Sequence, residues 1–405
     1  MSRLNLTVTL SMTPTRRFLL SSLLFAAMAA VTFTPASLGI LATFIIDDLG
    51  ITRAEFGIVL AVVNIAGALL SPVAGPVTDR IGGKSALVAL FTIAGMTFLI
   101  LGATVAYAML FFAALVGAFA QAMGNPATNK LIAEELPAGE RGVITGVKQS
   151  GVQAGIFLGG VSLPAIATAL GWRGAYLLVA VTPFVAAVAA LWVVPGSARR
   201  SVTRRNSERG RLPSGIGWLS AYGFLIGVSG AVTFFIPLFV EEEVGSNPIV
   251  GGFVAATIAL AAIPGRIVWG RYAERNRAYK RSLAQMAYLS IAAAVLFATT
   301  AAVSPWLLWP AAVLIGIGSS SWNSVGMLAV MDGAGPAATG RASGVVMFGF
   351  LAGLGIAPPI FGATIDATGG YGAMWLMSVL TAVAAAVAIL RWKMTSTSET
   401  AIGSA

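Results

Sequence analysis

Two cations, Lys148 and Arg266, stand inside stretches that are otherwise uncharged and apolar. Lys148 follows Arg141 by seven residues, and Arg266 precedes Arg271 by five. On helices rising 1.5 Å per residue these separations are about 10 Å and about 7.5 Å. A cation deep in a bilayer costs at least about 2.5–3.5 kcal/mol, so each is a candidate for function. No Asp or Glu occupies the interior of any apolar run, and neither cation has an evident counter-ion along the chain. A guanidinium takes carboxylate or phosphate on a two-pronged fork, whereas an ammonium is a movable point charge. The pattern therefore asks for an anion from outside the chain. The competing reading is that both long side chains snorkel to the membrane surface. Gln149 and Gln153 share a helix face, as do Asn125 and Asn129. With Asn323, these amides either line a site or join helices by hydrogen bonds. Lys130 lies nearer the end of its run and is a weaker candidate.

A second constellation is the hairpin G-P-V-T-D-R-I-G-G-K, from Gly75 to Lys84. Asp79, Arg80 and Lys84 are costly in hydrocarbon, so this turn belongs in water at a membrane face. Gly75, Gly82 and Gly83 permit close helix approach and a sharp reversal. A variant, G-R-Y-A-E-R, returns with Gly270, Glu274 and Arg275 at a constant offset of 195 from Gly75, Asp79 and Arg80.

The elements that must carry these residues are membrane helices. The chain has 405 residues, 57% apolar and 10% charged, against about 25% charged in soluble domains. Apolar runs of about 20 residues, the length of a membrane crossing, recur throughout. Twelve spans are predicted: 17–46, 54–76, 85–105, 108–131, 142–169, 175–195, 215–240, 249–270, 282–303, 306–330, 342–365 and 373–391. The first begins like a signal peptide but runs too long for one and is read as a retained span. There are no Cys and no His. That excludes disulfides, thiolate chemistry and His acid–base or metal chemistry; no cofactor and no enzymatic activity are expected.

Charge placement gives orientation. One face collects nearly all Arg and Lys; the other has Arg53 and Arg173 and is acidic, with Asp47, Asp48, Glu55, Glu241, Glu242, Glu243 and Asp366. By the positive-inside rule the basic face, with both termini, is cytoplasmic. The net charge of +10 therefore reports topology, and no nucleic-acid partner is expected. The repeat continues at offset 198, with Asn125 against Asn323 and Gly146, Gly151 and Gly155 against Gly344, Gly349 and Gly353. The expected organisation is a six-helix bundle over 1–196, a basic cytoplasmic linker over 197–214, and a second six-helix bundle over 215–405. Parallel repeats of this kind occur in secondary transporters that bind substrate between the halves.

The hairpin resembles the signature G-x-L-a-D-R-x-G-R-K of the major facilitator superfamily. Gly75, Val77, Asp79, Arg80, Gly82 and Lys84 stand at their places, with Gly83 where Arg or Lys is usual. The resemblance implies an all-α membrane fold of two pseudo-symmetric six-helix bundles. It also implies a gating role for the motif and its second copy, with Asp79 pairing across the interface in the outward-facing state and then releasing. A plain capped turn is compatible with that role. Two other family motifs are incomplete. L-x-x-R-x-x-Q-G keeps Leu115 and Gln121 but has Ala118 for its Arg, and Ile156 follows Gly155 where drug antiporters have Pro. The resemblance further makes spans five and eight neighbours facing the central cavity, so that Lys148 and Arg266 would form one cationic site. The resulting expectation is a monomeric inner-membrane carrier of a small organic anion, moved by alternating access with protons or a counter-anion. Proton-antiport efflux of a drug or neutral metabolite is the alternative.

Overall fold

The computed structural model describes residues 14–136, 141–195, 212 and 215–392, without the side chains of 141–143 and 335–338. Most of the linker expected over 197–214, with its arginines, and the basic residues Arg3 and Lys393 lie outside the described residues. Within them the chain is helical and has no strand.

The helices are α1 (Pro14–Ile40), α2 (Ala42–Leu49), α3 (Arg53–Ile81), α4 (Gly83–Gly102), α5 (Tyr107–Glu135), α6 (Arg141–Val193), α7 (Ile216–Gly230), α8 (Ile236–Glu242), α9 (Pro248–Asn276), α10 (Tyr279–Val303), α11 (Leu308–Ile317), α12 (Trp322–Thr368) and α13 (Gly372–Arg391). Among the described residues, eleven stretches are long and apolar enough to cross a membrane. One of them, Ile144–Val193, is 50 residues long, about 75 Å at 1.5 Å per residue, enough for two crossings. Gly171 interrupts it at φ +72°, a left-handed conformation that glycine adopts without penalty. The fold is thus consistent with twelve crossings. The tenth and eleventh fall within one helical stretch, α12, but the chain reverses between them, as the expected loop requires: the Trp322 and Phe350 rings are 4.9 Å apart, where an unbroken helix would separate them by about 42 Å.

Two predicted spans are broken internally. A 3-10 turn over Ala231–Phe234 separates α7 from α8, and another over Ser319–Ser321 separates α11 from α12. Such breaks expose backbone carbonyls that a regular helix would consume, which is tolerated in a membrane where the chain lines a cavity.

Repeat-related glycines set equivalent helix contacts. A side chain on Gly151 would strike the Phe25 carbonyl of α1, and one on Gly349 would meet the Ser220 carbonyl of α7. Between the halves, α6 and α9 approach backbone to backbone at Gly160 and Gly252, and α3 meets α12 where Gly57 faces the Pro358 carbonyl and Gly362 faces that of Arg53.

The acidic face is closed by ion pairs (residues 53 and 242 come from opposite halves). Arg53 holds Glu242 by a fork, Nε at 3.0 Å and Nη2 at 2.5 Å, and reaches Asp366 at 3.4 Å. Asp366 also accepts from the backbone N–H groups of Arg53 and Ala54, at 3.3 and 2.9 Å, where a carboxylate suits the positive end of α3. Tyr371 donates to Glu242 at 2.6 Å. Burial first, then this bond to Glu242, pushes the Tyr371 hydroxyl above its ordinary pKa. Arg173 pairs with Asp48 at 2.6 Å and lies over the Trp172 ring. Its hydrogen bond holds the Asp48 carboxyl below the usual range. Trp172 and Trp392, near helix ends, are buried, while Trp306 is exposed. Toward the basic face the helices part: Gly75, Gly146 and Gly344 have nothing near the position a side chain would take.

Candidate functional site

The gap between the halves is a cavity of about 490 Å³. Its first-half wall comes from α1, α3, α5 and α6, and its second-half wall from α7, α9, α12 and the two 3-10 breaks. Aliphatic and aromatic side chains such as Val31, Ile156, Phe234 and Leu354 cover much of it. Of the candidates named from sequence, Asn125, Gln149, Gln153, Arg266 and Asn323 line it. Arg266, Asn323, Gln149 and Gln153 also line a connected pocket of about 310 Å³ beside Gly146 and Met327. The structure therefore gathers residues of both halves around one guanidinium.

Arg266 is half-buried on α9. Its Nε and Nη2 both donate to the Ser320 carbonyl, at 3.3 and 3.1 Å. That carbonyl is free because Ser320 sits in the break between α11 and α12. A guanidinium has five N–H donors, so the two on Nη1 and one on Nη2 remain. They form the end-on fork that fits two oxygens of a planar anion. Among the described residues Arg266 has no carboxylate partner.

Lys148 does not join it. The side chain is 1% exposed and bonds α5, donating to Asn129 Oδ1 at 2.6 Å, Thr128 Oγ1 at 2.9 Å and Asn125 Oδ1 at 3.3 Å. It neither lines the cavity nor reaches the lipid surface, so the paired cationic site and snorkelling both give way to a buried polar cluster. Gln121, Thr32, Asn64 and Ser71 add polar groups to the wall. Gln121 was legible as the first step of a stripe continued by Asn125 and Asn129 at intervals of four.

The hairpin motif lies at the basic face. Gly82 makes the turn at φ +87°. Asp79, 75% exposed, pairs with Lys130 of α5 at 3.0 Å, and Lys130 reaches Glu134 at 3.5 Å. Lys84 donates to the Leu191 carbonyl at 2.7 Å. Arg80, Glu274 and Arg275 are exposed, and Gly270 has only Leu328 near it. These bonds of the motif stay within the first half. The departure at Gly83 has a steric reason: a side chain there would start 2.7 Å from Glu134 Oε2 and 2.8 Å from Leu131.

An all-helical bundle of repeated halves with a cavity between them, closed at one face, is the architecture of a membrane carrier. Residues 18–353 match the Major Facilitator Superfamily, and the chain belongs to that family of transporters; it is not an enzyme. It is 29% identical over 352 residues to the probable nitrate/nitrite transporter NarK2 of Mycobacterium tuberculosis, covering 81% of this chain and 84% of that protein. It is 30% identical over 177 residues to the gallate transporter of Pseudomonas putida, covering 43% of this chain and 38% of that protein. In fold it is similar to the crystal structure of a bacterial homologue of the human lysosomal transporter Spinster, inward-facing and occupied. The TM-score is 0.75 at 16% identity, over 94% of this chain and 97% of that one.

Proposed function

We propose that this protein carries a small organic anion, a carboxylate, through an inner membrane by alternating access, coupled to protons or to a counter-anion. The observation that carries the reading is the Arg266 guanidinium. It sits in the cavity without a carboxylate partner, braced on Ser320 with its end-on fork free. Asn323, Gln149, Gln153 and Asn125 supply neutral polar contacts, and the apolar wall accommodates a hydrocarbon body. Relatives named for nitrate and gallate support an anionic substrate.

In this proposal residues 1–196 and 215–405 are the moving bodies, joined by the linker 197–214, and the protein works as a monomer. The basic face, with both termini, is cytoplasmic by the positive-inside rule. The structure is then the inward-open state. The latch formed by Gly75, Asp79, Arg80, Gly82 and Lys84, with Gly270, Glu274 and Arg275 opposite, is released, and Asp79 rests on Lys130. Closure at that face would bring Asp79 toward the second half and free the acidic-face pairs.

The test is thermal stabilisation of the purified protein by gallate, nitrate, methyl gallate as the neutral control, and cationic drugs, with counterflow in proteoliposomes beside it. Anions are expected to stabilise the parent and not Arg266→Gln. Stabilisation by neutral or cationic compounds alone, unchanged in Arg266→Gln, overturns the reading in favour of efflux.

A further inference from the structure

The Lys148 ammonium has three N–H donors, and three side-chain oxygens of α5 receive them. The Thr128 hydroxyl gives its own proton to the Gly124 carbonyl at 2.7 Å, so toward Lys148 it acts only as acceptor. An ammonium cannot accept. The amides of Asn125 and Asn129 must therefore turn their oxygens to Lys148 and their NH2 groups away from it. Both residues are exposed, one helical turn apart, although the lysine behind them is buried. Asn125 lines the cavity. Asn129 lies one turn nearer the basic face, toward the opening. Among the described residues no carboxylate pairs with Lys148, so its charge stands uncancelled behind the two amides.

The second half shows that the scaffold does not need this cluster. At offset 198, Val346 stands for Lys148, Gly326 for Thr128 and Met327 for Asn129, and Val346 is fully buried among apolar residues. A hydrocarbon suffices at the symmetric position. A buried cation without a counter-ion is expensive, and its presence on one side alone points to the transported ligand.

We propose that Lys148 is a positioning residue for selectivity. It orients Asn125 and Asn129 so that their N–H groups form an anion-facing path from the basic-face opening to Arg266. Oriented amide dipoles at close quarters favour one sign of charge, as they do in channel linings. The ligand class is a small monoanion, carboxylate or nitrate, that trades water for amide N–H groups before it reaches the guanidinium. The inference rests on the reading of Arg266 as the anion site.

The experiment measures gallate and nitrate affinity, together with the melting temperature, for the parent and for Lys148→Met, Asn125→Asp, Asn129→Asp and Arg266→Gln. Asn125→Asp keeps a partner for Lys148, as an ion pair, but replaces an outward N–H donor by an acceptor. It is expected to weaken anion binding at least tenfold at a melting temperature no lower than the parent's. Asn129→Asp is expected to slow anion entry more than it weakens affinity, and Lys148→Met to weaken affinity even where it lowers stability. A purely structural role for Lys148 predicts that Lys148→Met lowers the melting temperature and leaves the folded protein with parent-like affinity. That result, with Arg266→Gln still losing affinity, overturns this proposal alone. Parent-like affinity in Arg266→Gln, or a parent that binds neither anion, overturns the anion site and this inference with it.

Discussion

Substituting Arg53 should open the acidic face. Its guanidinium is the one cation among the described residues that bridges the two halves there, gripping Glu242 by two bonds and touching Asp366. Its side chain is 31% exposed, with Glu242 at 23% and Asp366 at 25%. A fully exposed pair is worth about 0.2–1 kcal/mol, and hydrogen bonds to charged groups reach about 1.5–3 kcal/mol when shielded. Partial exposure places the bridge at about 1–2 kcal/mol, a factor of roughly 5–30 in a two-state population. Asp366 keeps its bonds to the α3 backbone in the variant, so the loss is partial and the bundles stay folded. The chain has no cysteine, which makes paired spin labels at Ala106→Cys and Ala367→Cys unambiguous reporters across this face. Arg53→Gln is expected to enlarge the longer-distance, open population by that factor. Glu242→Gln should do the same, and the double variant should shift no further than the stronger single one. Distance distributions that superimpose on the parent, or strictly additive shifts, refute the assignment of this bridge as the closing contact.

Two further predictions concern the ends of the helices. Glu241 of α8 packs toward Thr43 of α2, and burial raises its pKa above the usual glutamate value, with Asp47 and Glu242 adding to the effect. A raised carboxylate takes up a proton more readily in this closed arrangement. The acidic-face closure should therefore strengthen as pH falls through the raised value toward the ordinary one, about 4.3. Glu241→Gln should abolish that pH dependence in the same label distances; an unchanged profile counts against it. At Gly83 the Ala substitution places a methyl within 3 Å of Glu134 and buried Leu131, an overpacking expected to cost about 1–3 kcal/mol. A parent-like melting temperature would show that α4 and α5 separate freely there.

The fold was legible because a bilayer forces it: long apolar runs, glycines at helix crossings and a one-sided distribution of Arg and Lys leave few alternatives. The orientation of Lys148 was not taken from the same arithmetic, although it was present there. Successive helix residues are about 100° apart, since 3.6 complete a turn. Gln149 and Gln153 differ by about 40° and share the cavity face, whereas Lys148 lies about 100° from Gln149. Its own stripe contains Gly151 and Gly155, which meet α1. Depth alone identified it as costly, and phase decides what it faces. The Ser320 carbonyl that braces Arg266 had only a local signal, the glycines and serines from Gly316 to Ser321, which mark a break but not what its carbonyls face. The pairing of Asp79 with Lys130 was equally hidden, since it joins residues 51 apart in sequence.

The two halves divide labour between geometry and chemistry. Their shared features are contacts: Gly155 meets Ala29 as Gly353 meets the Phe224 carbonyl, so α6 lies on α1 as α12 lies on α7. Equal helix packing lets either end of the cavity close by the same kind of rocking. The charged groups break that equality. Arg266 has Ser71 as its counterpart at offset 195, and Lys148 has Val346 at offset 198. Were Arg266 repeated at its counterpart Ser71, two guanidinium groups would face one cavity and repel in every state. On the proposed function, one guanidinium on the second half and oriented amides on the first would let an anion be held by both halves at once, with a single uncompensated charge facing it. Its binding then favours the arrangement in which the halves approach, because only there does it meet donors from both. On that proposal, the asymmetry of the residues is what would allow a symmetric scaffold to be driven by its ligand.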